Sequence, residues 1–206
     1  NMKIVIIGAG TSAINTADIL IHDRNFKLVG FVGNEQDQEK YNNNNVYNNL
    51  PFLGTTDILK ELINDGVFGF IAAIGKNYIR EKRFYEASMS GLTPINAISK
   101  SAVIEQSAII GKGVTIGSGC IISHGVSIGD NTCIDSGVII EIKTQIGENC
   151  CLSSGTIVGG LCNIGRNVTL GSRSTIRHNT TIGKNNIIAS GKVVENDISD
   201  KIRDEK

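Results

Sequence analysis

Residues 134–164 run IDSGVIIEIKTQIGENCCLSSGTIVGGLCNI, with Ile134, Ile140, Ile146, Leu152, Val158 and Ile164 at intervals of six. Followed outward, the interval holds from Ile98 to Val194, seventeen aliphatic positions in succession. An α-helix repeats near 3.6 residues and a strand near 2, so six fits neither as one long element. It fits a chain that turns a corner after each short strand and stacks like on like. Four residues beyond the anchors come small or β-branched side chains, among them Val114, Cys120, Thr132, Val138, Thr144 and Val168, on a second inward register. Glycine often follows the anchor, at 111, 117, 129, 147, 159, 165, 171 and 183, where a turn needs a positive φ or room.

The composition bounds the class. The chain has 206 residues and a formal net charge of zero, enough for one large or two modest domains. Zero net charge gives no electrostatic case for nucleic acid or an anionic membrane as partner. No apolar run approaches the ~18 residues of a spanning helix, and no charged-then-apolar signal peptide is expected. Asn1 ahead of Met2 reads as a residue left by tag removal. The five cysteines lack metal-ligand spacing, so no metal is expected. Cys120, Cys150 and Cys162 fall on the small inward register and read as packing residues, and a reducing cytoplasm is the simplest home.

Residues 2–92 follow other rules. MKIVIIGAG is an apolar strand entering a glycine loop, TSAINTADILIHD an amphipathic helix, and KLVGFVG a second strand. Gln36 to Asn49, with Asn43–Asn45, Tyr41 and Tyr47, reads as a polar loop. A short element at Pro51–Gly54 precedes a helix over Thr56–Asn64. GFIAAIG (69–75) is a third strand, and a helix runs from Asn77 to about Ser90. Strands alternating with helices predict a small parallel α/β sheet. Gly8, Gly10 and Ala13 satisfy G-x-G-x-x-G/A between strand and helix, a loop that brings backbone N–H groups and a helix N-terminus up to a phosphate. About 90 residues are too few for both halves of a dinucleotide fold. A nucleotide-linked substrate therefore suits the loop better than a nicotinamide cofactor. The substrate-binding candidates are Gly8, Ala9, Gly10, Thr11 and Ser12 in the loop, and Asn34 and Glu35 after the second strand. Lys76 and Asn77 follow the third.

With these motifs in hand, GAG at residue 8, GFVGNEQ, LPFLGTTDIL, AAIGKNYIR and then hexapeptides, the chain resembles hexapeptide-repeat sugar-nucleotide acyltransferases. These include bacillosamine-pathway N-acetyltransferases and sialic acid O-acetyltransferases. The resemblance implies a half-Rossmann α/β domain over 2–92, a left-handed parallel β-helix over 93–198 and a charged, frayed tail over 199–206. It implies a homotrimer with active sites between subunits, acetyl-CoA as donor, and a nucleotide-linked amino-sugar for bacterial surface glycan synthesis as acceptor. Backbone at Gly160 and Ser190 would line the pantetheine channel.

The chain also departs from that family. The family's Glu-His pair is matched by Glu141-Ile142, and a second histidine by Cys151. Isoleucine cannot accept a proton. Three six-residue sides make one coil, so positions eighteen apart stack, about 4.8 Å per coil. His124 stands in the column of Ile142, one coil below, with Gly160 and His178 above. The catalytic candidates are thus Glu141 and His124. An amine acceptor tolerates the loss of a base better than an alcohol, which favours N-acylation. The alternatives are O-acetylation of a sugar of the sialic acid type, and a non-catalytic trimer that binds a sugar nucleotide. Between Leu161 and Val194 stand Arg166, Arg173, Arg177, Lys184 and Lys192 with no Asp or Glu, a charge pattern suited to the phosphates of coenzyme A. Arg173, Lys184 and Lys192 join Gly160 and Ser190 as its candidate ligands. The closing Gly-x-Pro-Ala-like turn of the relatives is replaced by VVENDISDKIRDEK.

Overall fold

The computed structural model describes residues 1–42 and 49–202. The chain divides into two compact units, Asn1–Ala97 and Ile98–Lys206.

The first unit runs β1 (Met2–Ile7), α1 (Thr11–Ile21), β2 (Phe26–Gly33), α2 (Glu35–Asn42), β3 (Phe52–Thr55), a 3-10 turn (Thr56–Ile58), α3 (Leu59–Asn64), β4 (Val67–Ala72), α4 (Asn77–Ser90) and β5 (Thr93–Pro94). The strands form a parallel sheet in the order β3-β2-β1-β4-β5. Alternation along β1 feeds two cores: Val5 and Ile7 pack with Phe70, Leu59 and Phe84, while Ile4 and Ile6 pack with Ala13, Leu20 and Phe31. Both faces are covered, which is why the strand is an unbroken apolar run.

Two expectations are corrected here. Gln36 to Asn42, expected as polar loop, forms most of α2. Its start is fixed by a reciprocal cap: Asp37 N–H donates to Asn34 Oδ1 at 2.9 Å, and Asn34 N–H to Asp37 Oδ2 at 3.0 Å. Glu35 and Asp37 in the first turn and Lys40 in the last suit the helix dipole. Asn43–Asn45 and Tyr47 lie outside the described residues. Thr93–Pro94, expected to lead into the coils, pairs with Gly69–Phe70 as an edge strand, where proline's missing N–H is tolerated. The first compact unit runs to Ala97.

The coils are built from two-residue strands, β6 (Ala97–Ile98) through β22 (Val193–Val194), each ending on one of the six-spaced anchors. They stack as three parallel sheets. Face 1 carries anchors Ile104, Ile122, Ile140, Val158, Ile176 and Val194. Face 2 carries Ile110, Ile128, Ile146, Ile164 and Ile182, and face 3 carries Ile98, Ile116, Ile134, Leu152, Leu170 and Ile188. Partners lie eighteen residues apart, as in Ile122↔Ile140 and Ile140↔Val158. From Ile116 to Val194 the anchors are buried, together with Val114, Cys120, Val126, Val138, Cys150, Cys162 and Val168 of the second register.

Positive φ recurs every sixth residue from Gly113 to Gly191, three places after each anchor, and most of these residues are Gly or Asn. Lys143, Leu161 and Arg173 are the exceptions, at φ 55, 58 and 57. The glycines that directly follow anchors serve the other purpose, room. A Cβ on Gly147 would stand 2.7 Å from the Arg166 nitrogen of the next coil. Of the tail expected to fray over 199–206, residues 199–201 bond to the last coil instead, and 203–206 lie outside the described residues: Asn186 donates to Ser199 O at 2.8 Å, and Lys201 N–H to Lys184 O at 2.9 Å.

Candidate functional site

In the first unit, β1, β2 and β4 end at one edge. Beyond them opens a cleft of about 280 Å³ lined by Gly8–Ser12, Gly33, Asn34, Asp37, Ala73–Gly75, Ile79 and Arg83. The sheet reverses its strand order beside β1, the place where ligands enter open α/β sheets. Gly8 has φ +126, and a Cβ there would run into the Ala73 carbonyl. Gly10 is the N-cap of α1 and supplies no side-chain cap, which leaves the first turn's N–H groups for a ligand. Tyr41 pins the loop from above. Its hydroxyl donates to Ala9 O at 3.2 Å, and its ring lies 5.3 Å from that of Phe52. Burial, then the Asp37 carboxylate, push the Tyr41 phenol above its ordinary range.

A second cleft adjoins, sharing Gly33, Asn34 and Arg83 and adding Glu35, Gln36 and Thr55–Asp57. Sequence reading missed Arg83, Asp37 and Thr55–Asp57. The signals were present: Ile79 and Arg83 are four apart on one helix face, and TTD closes a strand at its carboxyl end. Arg83 is held by Glu86 Oε2 at 2.6 Å and Thr56 Oγ1 at 3.1 Å. The loop candidates Gly8 to Ser12 thus come together with Asn34, and Glu35 lies in the second cleft. Asn34 spends its side-chain oxygen on the cap. Lys76 and Asn77 stand just outside the lining, where Asn77 Oδ1 accepts from the buried Arg80 at 2.9 Å.

In the coils, Glu141, Ile142 and Lys143 turn the edge between faces 1 and 2. Gly160 N–H donates to Glu141 Oε2 at 3.1 Å, so the carboxylate is fixed toward the next coil. Ile142 is 47% exposed, and Leu161 at the turn above it is 49% exposed. Thr144 ties the turn from inside, donating to Gly159 O at 2.7 Å and accepting from Cys162 N–H at 3.1 Å. Burial, with Glu141 a lesser contributor, holds the Cys162 thiol above its ordinary range, which unsuits it as a nucleophile. His124, Gly160 and His178 share the corner column, as the spacing predicts: Lys143 N–H donates to His124 O, Leu161 N–H to Ile142 O and Asn179 N–H to Gly160 O, at 2.8 to 2.9 Å.

The cationic run does not form one patch within the chain. Arg166 and Lys184 lie on the edge between faces 2 and 3, Arg173 and Lys192 on the edge between faces 3 and 1 with Ser190, and Arg177 on the Glu141 edge. Lys184 is paired with Asp200 at 3.5 Å. Among the described residues no group of three or more His, Cys, Asp or Glu could hold a metal, and no helix is long and apolar enough to cross a membrane.

An α/β unit with a bare helix N-terminus, joined to six-residue coils, defines a hexapeptide-repeat transferase, and comparison with known families agrees. Residues 3–87 match the PglD N-terminal domain, and 107–141 and 161–196 match the bacterial transferase hexapeptide. The chain thus combines a PglD N-terminal domain with bacterial transferase hexapeptide repeats, an arrangement that fits a hexapeptide-repeat sugar acyltransferase.

Among solved structures it is similar to the acetyltransferase domain of PglB from Neisseria gonorrhoeae (TM-score 0.87, 23% identity, 96% of this chain and 93% of that one). It is similar to perosamine N-acetyltransferase from Caulobacter crescentus, solved as a histidine variant with CoA and GDP-perosamine (TM-score 0.71, 25% identity, 97% and 91%). WeeI from Acinetobacter baumannii shares the fold (TM-score 0.83, 17% identity, 98% and 96%). No curated protein sequence matches the chain.

Proposed function

We propose that the protein transfers an acetyl group from acetyl-CoA to the amine of a nucleotide-linked amino-deoxysugar. The observation that carries this reading is the full-length similarity to a perosamine N-acetyltransferase solved with CoA and GDP-perosamine. The geometry supports it. Gly8–Ser12 and the uncapped start of α1 suit the diphosphate, since backbone N–H groups and the helix dipole both favour an anion. The adjoining cleft, with Glu35, Asp57 and Arg83, suits the nucleoside. Glu141, fixed by the Gly160 amide, offers a carboxylate to the acceptor's ammonium group.

Gly160 and Ser190 lie on different edges of the coil stack, so a pantetheine channel lined by both takes them from two copies. This is the arrangement of a homotrimer with sites between subunits, in which Arg173 and Lys192 would meet the donor's phosphates beside Ser190. A cytoplasmic home, expected from the cysteine pattern, belongs to the same reading. The exposed Ile142 favours one second reading, a non-catalytic trimer that binds the sugar nucleotide alone.

Gly10→Asp tests the acceptor site. A Cβ on Gly10 meets nothing within 4 Å, and its φ of −93° suits any residue, so the fold tolerates the change. An aspartate there caps α1 itself and occupies the anion position. The expected result is an unchanged or higher Tm, unchanged acetyl-CoA binding, and at least about tenfold weaker binding of UDP- or GDP-linked sugars. Equal sugar-nucleotide affinity in the variant would remove the glycine loop from the site.

A further inference from the structure

The corner column carries two histidines, His124 and His178, on either side of Ile142 and Gly160, and they are held differently. His124 Nδ1 lies 2.8 Å from Ser107 Oγ, a hydroxyl that also accepts Gly125 N–H at 3.0 Å. Ser107 belongs to the coil beneath, so that ring is engaged away from Ile142. His178 also faces the coil beneath it, which at this level presents Gly160. Its Nδ1 stands 3.5 Å from the point a Cβ would occupy on Gly160, and the same point is 3.0 Å from Ile142 Cγ2. The imidazole therefore overhangs the space that glycine leaves open, directly above Ile142. The amide of that same glycine holds Glu141 Oε2 at 3.1 Å. One residue without a side chain thus has a carboxylate bound at its nitrogen and an imidazole nitrogen beside the place its Cβ would fill.

We propose that His178 is the general base of this protein, doing from above Gly160 what Ile142 cannot do below it. The inference rests on the acetyl transfer proposed in the preceding section. The amine nitrogen of the acceptor attacks the thioester carbonyl, and a C–N bond forms while the nitrogen's proton passes to His178. The C–S bond then breaks, and coenzyme A departs as thiolate and takes that proton from the imidazolium. The products are the N-acetylated sugar and free thiol, with His178 neutral again. Glu141 draws the acceptor's ammonium to the column, where it gives up one proton to solvent, and keeps the neutral amine that results beside the imidazole. Glycine at 160 is what makes the displacement workable, because a larger residue there would press on Ile142 and fill the gap under the ring.

The test uses the intact protein and an acceptor that supports thiol release. His178→Gln should lower kcat by about 10²-fold or more while leaving acetyl-CoA and sugar-nucleotide affinities unchanged. His178→Ala should regain rate when imidazole is added to the buffer, which a merely structural histidine would not allow. Ile142→His in the His178→Gln background should restore much of the loss, since it returns an imidazole to the same column beside the same carboxylate. A His178→Gln protein with the parent's rate overturns the proposal, and so does a loss confined to His124→Gln. A parent that binds the sugar nucleotide but never releases thiol is distinguishable from both: it removes the acetyl-transfer reading and this assignment with it.

Discussion

Leu161 holds φ 58 at the turn directly above Lys143, in a column where the other coils use Gly125 and Asn179. A side chain in this conformation costs roughly 1–2 kcal/mol, because its Cβ crowds the following carbonyl. Leu161 is also 49% exposed, so its burial returns little. Leu161→Gly should therefore raise stability by about 1 kcal/mol in urea denaturation. A destabilised variant would mean that this apolar corner is packed against something in the native assembly. Glu141 was legible as a candidate from its place ahead of Ile142. That it binds the Gly160 amide, and that His178 leans toward the glycine, was not. Spacing alone gives the column and not the direction of a ring.

At the scale of the element, the edge between faces 2 and 3 carries an asparagine ladder that periodicity did not single out. Asn131 donates to Asn149, Asn149 to Asn167 and Asn167 to Asn185 at 2.9, 2.6 and 3.1 Å, and Asn185 ends the chain of bonds on Lys201 O. Asparagine serves twice here, accepting positive φ and bonding the coils above and below. Asn149 is 2% exposed, so Asn149→Ala should cost about 2–4 kcal/mol by equilibrium unfolding, through lost bonds to two neighbours and a strained backbone. A cost near zero would show the ladder to be ornamental. The coils were legible because burial repeats on a fixed interval. The helix over Glu35–Asn42 was hidden by its polar composition, and the edge strand Thr93–Pro94 by its two-residue length. Glycines at 111 to 183 gave a correct signal with two readings, φ or room, and only the next coil's backbone decides for room.

For the whole molecule, titration and assembly supply the checks. Burial raises the thiols of Cys120 and Cys162 in the fold. A raised acid keeps its proton folded but loses it unfolded, so its contribution is intact below the unfolded value and is lost as pH climbs through the folded one. Stability should thus decline above about pH 8.5, and the decline should flatten in Cys120→Ala/Cys162→Ala. An unaltered alkaline slope in the double variant would assign it elsewhere. By mass, the protein should be a trimer, because Gly160 and Ser190 stand on separate edges of one chain. A stable monomer with full activity would contradict the two-copy channel.

The most direct measurement is thiol release from acetyl-CoA against UDP-, dTDP- and GDP-linked 3- and 4-amino-deoxysugars, with the product's new bond identified by NMR. Rapid release with one of them, and an acetyl group on nitrogen, are the expected results. An ester on a hydroxyl would contradict the amine assignment, and silence across the set from a protein that binds the sugar nucleotide would contradict acetyl transfer itself.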